Sequence, residues 1–145
     1  MRVDFYQLSQ SSAEEALPAL AAKMLEPEQR ALVVSADVEQ LARISEALWA
    51  AKDQFLAHAP AGGPHDARQP ILLSDRLEAA NGACFLTLAD GLWRDGAEAF
   101  ERVFLLFGEV TLEAARETWR SLDAHEGLER NYWRQVSRTK WEKAA

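Results

Sequence analysis

Two arginines and a tryptophan in the last third of the chain have the types and spacing of a binding site for a negatively charged peptide. Arg116 and Arg120 are four residues apart, so in a helix their side chains project from one face, and Trp119 borders that face. Guanidinium groups bind carboxylates through charge-assisted hydrogen bonds, and an apolar pocket beside them would accept an apolar side chain. This pattern is typical of a site for a short acidic peptide that ends in an apolar residue.

The same helix can also be explained as an ordinary surface helix. Trp119 lies at core spacing with Ala115 and Leu122, and Glu113 and Glu117 are placed to pair with the two arginines. Spacing alone leaves both interpretations open.

A second pair of residues, Trp49 and Phe55, predicts an apolar interaction surface. Trp49 is one residue, or about 100°, around a helix from Leu48, which continues the apolar core stripe. Two large aromatic side chains between a helix end and a proline-rich segment are typical of an exposed patch that binds a partner. The alternative is that both side chains close the end of the core.

The sequence carries none of the common signatures of catalysis. No glycine-rich turn follows the first predicted strand, no P-loop lysine is present, and the serines form no nucleophile elbow. His58, His65 and His125 lack metal-ligand spacing and are predicted to be solvated. We therefore predict no cofactor and no metal, and keep a small nucleotide- or substrate-binding enzyme as the alternative.

Alternating strands and helices must position these residues. Apolar runs predict strands at 2–8, 31–35, 71–73, 83–88 and 100–107, and helical spacing predicts helices at 17–25, 37–50 and 112–126. Ser12 and Glu15 form a capping box, Pro18 is expected in the first turn of the first helix, and Pro27 is expected to end it. Segment 57–70 is predicted to be an exposed loop, and the tail at 128–141 is aromatic and basic. The order predicts one α/β, Rossmann-like domain spanning 1–145, with helices on both faces of a largely parallel sheet.

Charge and composition narrow the possible partners. The chain has 145 residues and a net charge of −7, divided into 9 basic and 17 acidic residues at 1–109 and 7 basic and 6 acidic residues at 110–145. An acidic body disfavours a duplex-DNA binder, although direct DNA binding by the basic tail is a third possibility.

Cys84, the single cysteine, is predicted to be a buried inert thiol. No apolar run is long enough to span a bilayer, and a cytoplasmic location is predicted.

Several short motifs occur in a fixed order along the chain. Phe-Tyr-x-Leu occupies 5–8, Glu-x-Leu-Trp ends a predicted helix at 46–49, and a Phe-hydrophobic-x-His element follows at 55–58. The last third has a strand that ends in an aromatic residue at 107, an Ala-Arg-x-x-aromatic-basic segment at 115–120, Gly127, and an aromatic tail from 132 to 141. In this order the whole chain resembles the chi subunit family of bacterial DNA polymerase III.

The resemblance implies a noncatalytic subunit of a DNA polymerase complex that joins two partners. Chi proteins bind the acidic C-terminal tail of single-stranded DNA-binding protein, which ends in phenylalanine, and on another face they bind the psi subunit of the clamp loader. Carried over to this chain, the tail site falls on Arg116, Trp119 and Arg120, with Leu112 one turn earlier. The psi site falls on Trp49 and Phe55, where a helicase or another clamp-loader component is the alternative partner.

Overall fold

The computed structural model describes residues 1–25, 29–51 and 55–145, and within them one eight-stranded sheet carries three α-helices. The strands are β1 (Arg2–Gln7), β2 (Ala31–Val34), β3 (His58–Pro60), β4 (Ile71–Ser74), β5 (Phe85–Leu88), β6 (Arg102–Phe107), β7 (Glu129–Gln135) and β8 (Trp141–Lys143). The helices are α1 (Ala13–Leu25), α2 (Val38–Trp49) and α3 (Leu112–Ser121), with 3-10 turns at Asp66–Arg68, Ala97–Ala99 and Leu122–Ala124.

The sheet confirms the predicted α/β class. Its strand order is β3-β4-β2-β5-β6-β1-β7-β8, and every neighbouring pair is parallel except β7 and β8. The central strands β2, β4, β5 and β6 are almost wholly buried, as expected for parallel strands covered on both faces. None of the helices in the described ranges is long and apolar enough to cross a bilayer.

Two apolar cores lie on opposite faces of the sheet. The helices α1 and α2 cover one face, where Tyr6 is buried, and α3 covers the other, where Phe5 is buried. Successive side chains of a strand point to opposite faces, so β1, which pairs with both β6 and β7, contributes to both cores. We refer to these as the α1 face and the α3 face.

The first helix begins at Ala13, and the predicted start at Leu17 was wrong. The Ser12 hydroxyl accepts from the Glu15 amide at 3.2 Å while the Glu15 carboxylate accepts from the Ser12 amide at 3.2 Å, so the predicted capping box forms and fixes the start. Pro18 is therefore inside the helix. The missing proline N–H leaves the Glu14 carbonyl without its helical donor, a cost that the buried stripe of α1 outweighs. Pro27, the predicted end, lies outside the described residues.

The predicted loop at 57–70 contains the edge strand β3 and a 3-10 turn, and His58 is buried rather than solvated. Its Nε2 lies 2.7 Å from Ser45 Oγ and its Nδ1 lies 2.8 Å from the Leu56 carbonyl, so both ring nitrogens have partners. Parallel pairing of β3 with β4 brings the ring under α2, which the proline-rich sequence did not indicate. His65 and His125 are exposed, as predicted.

The last third departs from the prediction in two respects. α3 ends at Ser121, and the chain then makes a 3-10 turn instead of remaining helical to 126. The aromatic tail forms β7 and β8, which add two strands to the sheet beyond β1.

Cys84, predicted to be buried, is half-buried because it precedes β5 at the amino end of the sheet.

Candidate functional site

A small pocket on the α3 face contains three of the four residues predicted to bind an acidic tail. It encloses about 220 Å³ and is lined by Arg116, Trp119, Arg120, Tyr132 and Ala145. The helix α3 presents the arginines and the indole, and β7 presents the tyrosine. We call it the α3 pocket.

The α3 pocket has rigid aromatic walls. The Trp119 ring packs edge-on against Phe5 at 5.1 Å and against Tyr132 at 5.9 Å between ring centroids. Tyr132 in turn stacks on Phe5 at 6.4 Å and donates its hydroxyl to the side chain of Gln7. Such packing holds the indole and phenol in one orientation before any ligand arrives.

The outer side of Trp119 is held by Arg130. The Arg130 guanidinium lies 4.4 Å from the centroid of the indole, donates to the Trp119 carbonyl, and forms an ion pair with Asp123 at 2.7 Å. A cation over an aromatic face adds an attraction of about 0.5–2 kcal/mol. Arg130 therefore supports a wall of the pocket without lining it.

The two arginines of the α3 pocket differ in their local partners. Arg116 Nη1 lies 3.2 Å from Glu113 Oε1, an exposed i,i+3 ion pair, whereas Arg120 has no ion pair among the described residues. Burial raises the pKa of Tyr132, and the positive charge of Arg116 partly offsets that rise. The phenol is thus neutral at physiological pH. The Arg120 guanidinium is available for an anionic ligand, and the Arg116 guanidinium becomes available when it leaves Glu113.

Leu112 does not line the α3 pocket: it is half-buried and packs against the core of the α3 face. Its part in tail binding stays a prediction. Tyr132, which site prediction missed, reaches the pocket because the parallel register of β1 and β7 sets it beside Phe5. The aromatic tail was a visible signal, but strand register could not be deduced from it.

The other predicted pair, Trp49 and Phe55, forms an exposed aromatic surface at the end of α2. Trp49 is 57% exposed and Phe55 is 82% exposed, with ring centroids 6.0 Å apart. The Trp49 ring also lies 4.3 Å from the His58 ring, which Ser45 holds in place. We call this the α2 surface, and its exposure excludes the interpretation that both rings close the core.

An apolar groove runs along α2 beside the edge strand β3. It encloses about 340 Å³ and is lined by Val38, Leu41, Ala42, Ser45, Pro60 and Leu73. Val38 is 68% exposed, so the outward side of α2 carries apolar groups from its first residue to Trp49 at its last. No charged side chain lines this groove among the described residues.

A third concavity lies at the carboxyl ends of β1, β5 and β6, where an α/β enzyme would place its ligand. Three carboxylates line it, from Glu14, Asp90 and Glu109. Burial opposes ionisation of Asp90, but hydrogen bonds from Arg94 and from the Ala36 amide outweigh it and lower the pKa of Asp90. A negatively charged lining is unsuited to a nucleotide phosphate.

The chain was compared with curated proteins and with models of protein families. A search of curated proteins returns no match. Residues 1–129 match the family described as DNA polymerase III chi subunit, HolC. The matched region includes Trp49, Phe55 and the whole of α3, and it covers most of the chain. This chain belongs to the chi subunit family of DNA polymerase III.

Proposed function

We propose that this chain is a one-domain, noncatalytic adaptor that joins single-stranded DNA-binding protein to the clamp loader. Family membership gives an accessory role in DNA replication. The finer assignment depends on two surfaces with different chemistry, one for each partner.

The α3 pocket is proposed to bind the acidic C-terminal tail of single-stranded DNA-binding protein. The observation that carries this assignment is an apolar cleft flanked by the guanidinium groups of Arg116 and Arg120. The arginines would bind tail carboxylates, and the apolar pocket that Trp119 and Tyr132 line would accept the terminal phenylalanine ring.

The α2 surface is proposed to bind the psi subunit. Trp49 and Phe55 expose two adjacent rings beside an uncharged groove, which suits a partner that buries an apolar helix face. If psi is absent from the cell of origin, the same chemistry suits a helicase or a clamp-loader component.

Holding both partners would raise the local concentration of the clamp loader on coated DNA. Single-stranded DNA-binding protein presents several tails along the template, so a clamp loader that carries this chain rebinds before it diffuses away. Modest affinity for each tail is therefore sufficient.

The direct test is a titration of the chain with a fluorescent acidic peptide that ends in phenylalanine. We expect saturable binding at low salt, and loss of binding when the terminal phenylalanine is removed from an otherwise identical peptide. Undetectable binding, or equal binding of both peptides, would contradict the proposal. A nucleotide-dependent rise in melting temperature would favour an enzyme, and a shift of DNA without any partner would favour direct DNA binding.

A further inference from the structure

A groove on the α1 face is not used by either proposed partner. It lies between α1 and the hairpin of β7 and β8 and encloses about 510 Å³. Its principal side chains are three aromatic and three basic ones, from Tyr6, Trp133, Trp141, Lys23, Arg102 and Lys140. We call it the hairpin groove.

The aromatic side chains form a packed wall. Tyr6 stacks on Trp133 with centroids 6.2 Å apart and rings 12° from parallel, and Trp141 meets Tyr6 edge-on at 5.0 Å. Both indoles remain half-buried, so each still presents apolar surface to the groove. Burial, and then the nearby Asp4 carboxylate, raises the pKa of Tyr6 to about 12, so its phenol adds no negative charge.

A fully buried carboxylate fixes one indole and one cation of the groove. Asp4 is 0% exposed, accepts from Arg102 Nε at 2.7 Å and from Trp133 Nε1 at 3.1 Å, and also pairs with Arg2. Burying a charge is costly unless its hydrogen bonds are satisfied, and here they are satisfied by side chains that shape the groove. The groove is thus preorganised rather than formed by chance contacts of mobile side chains.

The charge of the groove is positive although the chain is acidic. Among the described residues, no acidic side chain lines the groove, and the exposed Lys23 and Lys140 have no ion pair. Arg102 is matched by Asp4, so the two lysines supply the net charge. A net charge of −7 for the whole chain makes this local excess of cations a distinct feature.

We propose that the hairpin groove binds an acidic peptide segment of a partner protein that carries an internal aromatic side chain. The ring would pack against Trp133 and Trp141, and flanking carboxylates would pair with Lys23 and Lys140. Charge complementarity favours a short peptide over nucleic acid, because the acidic body at 1–109 repels a long polyanion.

This groove is separate from the α3 pocket. It lies on the opposite face of the sheet, and Trp133, Lys140 and Trp141 are beyond the residues matched to the chi family. The proposal for this groove therefore does not depend on the proposed function of the α3 pocket.

The test is fluorescence anisotropy with a labelled peptide that has a central phenylalanine flanked by aspartates and an amidated C-terminus. The amide removes the terminal carboxylate, so that the probe does not mimic a free tail. We expect saturable binding, with Lys23→Glu and Lys140→Glu each weakening it about tenfold or more. Lys143→Glu makes the same charge change outside the groove lining. This variant and Arg116→Glu should each leave the affinity of the probe within about twofold of the unchanged chain.

Four results would overturn the proposal. They are no saturable binding, an equal loss in Lys143→Glu, loss in Arg116→Glu alone, and tighter binding of an oligothymidylate that competes for the groove. Trp141→Ala, checked for an unchanged circular dichroism spectrum, should also weaken the probe, and undiminished binding in that folded variant would contradict the aromatic contact. Because Arg116→Glu reverses a charge in the α3 pocket and lies outside the hairpin groove, failure at one site is distinguishable from failure at the other.

Discussion

The α3 pocket and the α2 surface present aromatic side chains in opposite ways. In the α3 pocket, Trp119 is half-buried against Phe5 and Tyr132 and is flanked by two arginines. At the α2 surface, Trp49 and Phe55 stand exposed beside a groove without charged lining. A charged rim around a fixed ring suits a short acidic ligand, whereas exposed rings on an uncharged surface suit a folded partner. The two surfaces lie on opposite faces of the sheet, so the two proposed partners would not compete for the same residues.

The largest expected effect is at the α2 surface. Phe55→Ala and Trp49→Ala should each cost more than about 2 kcal/mol of partner binding, which abolishes copurification of a psi-like protein, because interface aromatics carry most of the binding energy. Peptide binding at the α3 pocket should be unchanged. Phe55→Ala should disturb the fold less than Trp49→Ala does, because Phe55 is 82% exposed.

A matched control for these variants is Val110→Ala, since Val110 is 99% exposed and lies outside the α2 surface. It should leave copurification intact. If Trp49→Ala removes partner and peptide binding together, Trp49 has a folding role, and the separation of the two surfaces is wrong.

The next effect is at the α3 pocket. Arg116→Ala and Arg120→Ala should each weaken a phenylalanine-ended acidic peptide by about 1–3 kcal/mol, measured by anisotropy. Arg120→Ala should cost more, because Arg116 must first leave Glu113. Arg76→Ala, which removes an exposed arginine elsewhere, should have no effect. Unchanged affinity in a folded Arg116→Ala variant would show that this arginine pairs only with Glu113 and does not contact the peptide.

Salt should separate the two surfaces. Raising ionic strength from about 0.05 M to about 0.5 M shortens the screening length, so peptide binding at the α3 pocket should weaken several-fold. Partner binding at the α2 surface should change less, because its lining is apolar. Isothermal titration at several salt concentrations measures how steeply each affinity falls with salt. An equal fall at both surfaces would contradict the difference in charge between them.

The smallest expected effect concerns the support of Trp119. Arg130→Ala removes the cation over the indole and should weaken the peptide by about 0.5–1 kcal/mol, with the α2 surface unaffected. Lys143→Ala controls for the loss of one positive charge from the same hairpin. An equal loss in both variants would mean that general charge, and not support of the ring, is responsible.

Local patterns were sufficient to predict the α/β class, the central strands and the grouping of Arg116, Trp119 and Arg120 on one helix face. Val33 and Val34 lie in a continuous apolar run, and Ser12 with Glu15 encodes a helix start within a few residues. Non-local pairing was not predictable in the same way. His58 is buried because β3 pairs with β4, and Tyr132 reaches the α3 pocket because β7 pairs with β1 in one register.

The position of β1 between β6 and β7 has a consequence for folding during synthesis. The first strand of the chain has no neighbour in the sheet until residues 102–107 and 129–135 have left the ribosome. Contacts between such distant segments form slowly, because a long loop must close first. Phe5 and Tyr6 therefore pack fully only after those segments have been synthesised. A nascent molecule presents neither the α3 pocket nor the hairpin groove until β7 and β8 have emerged.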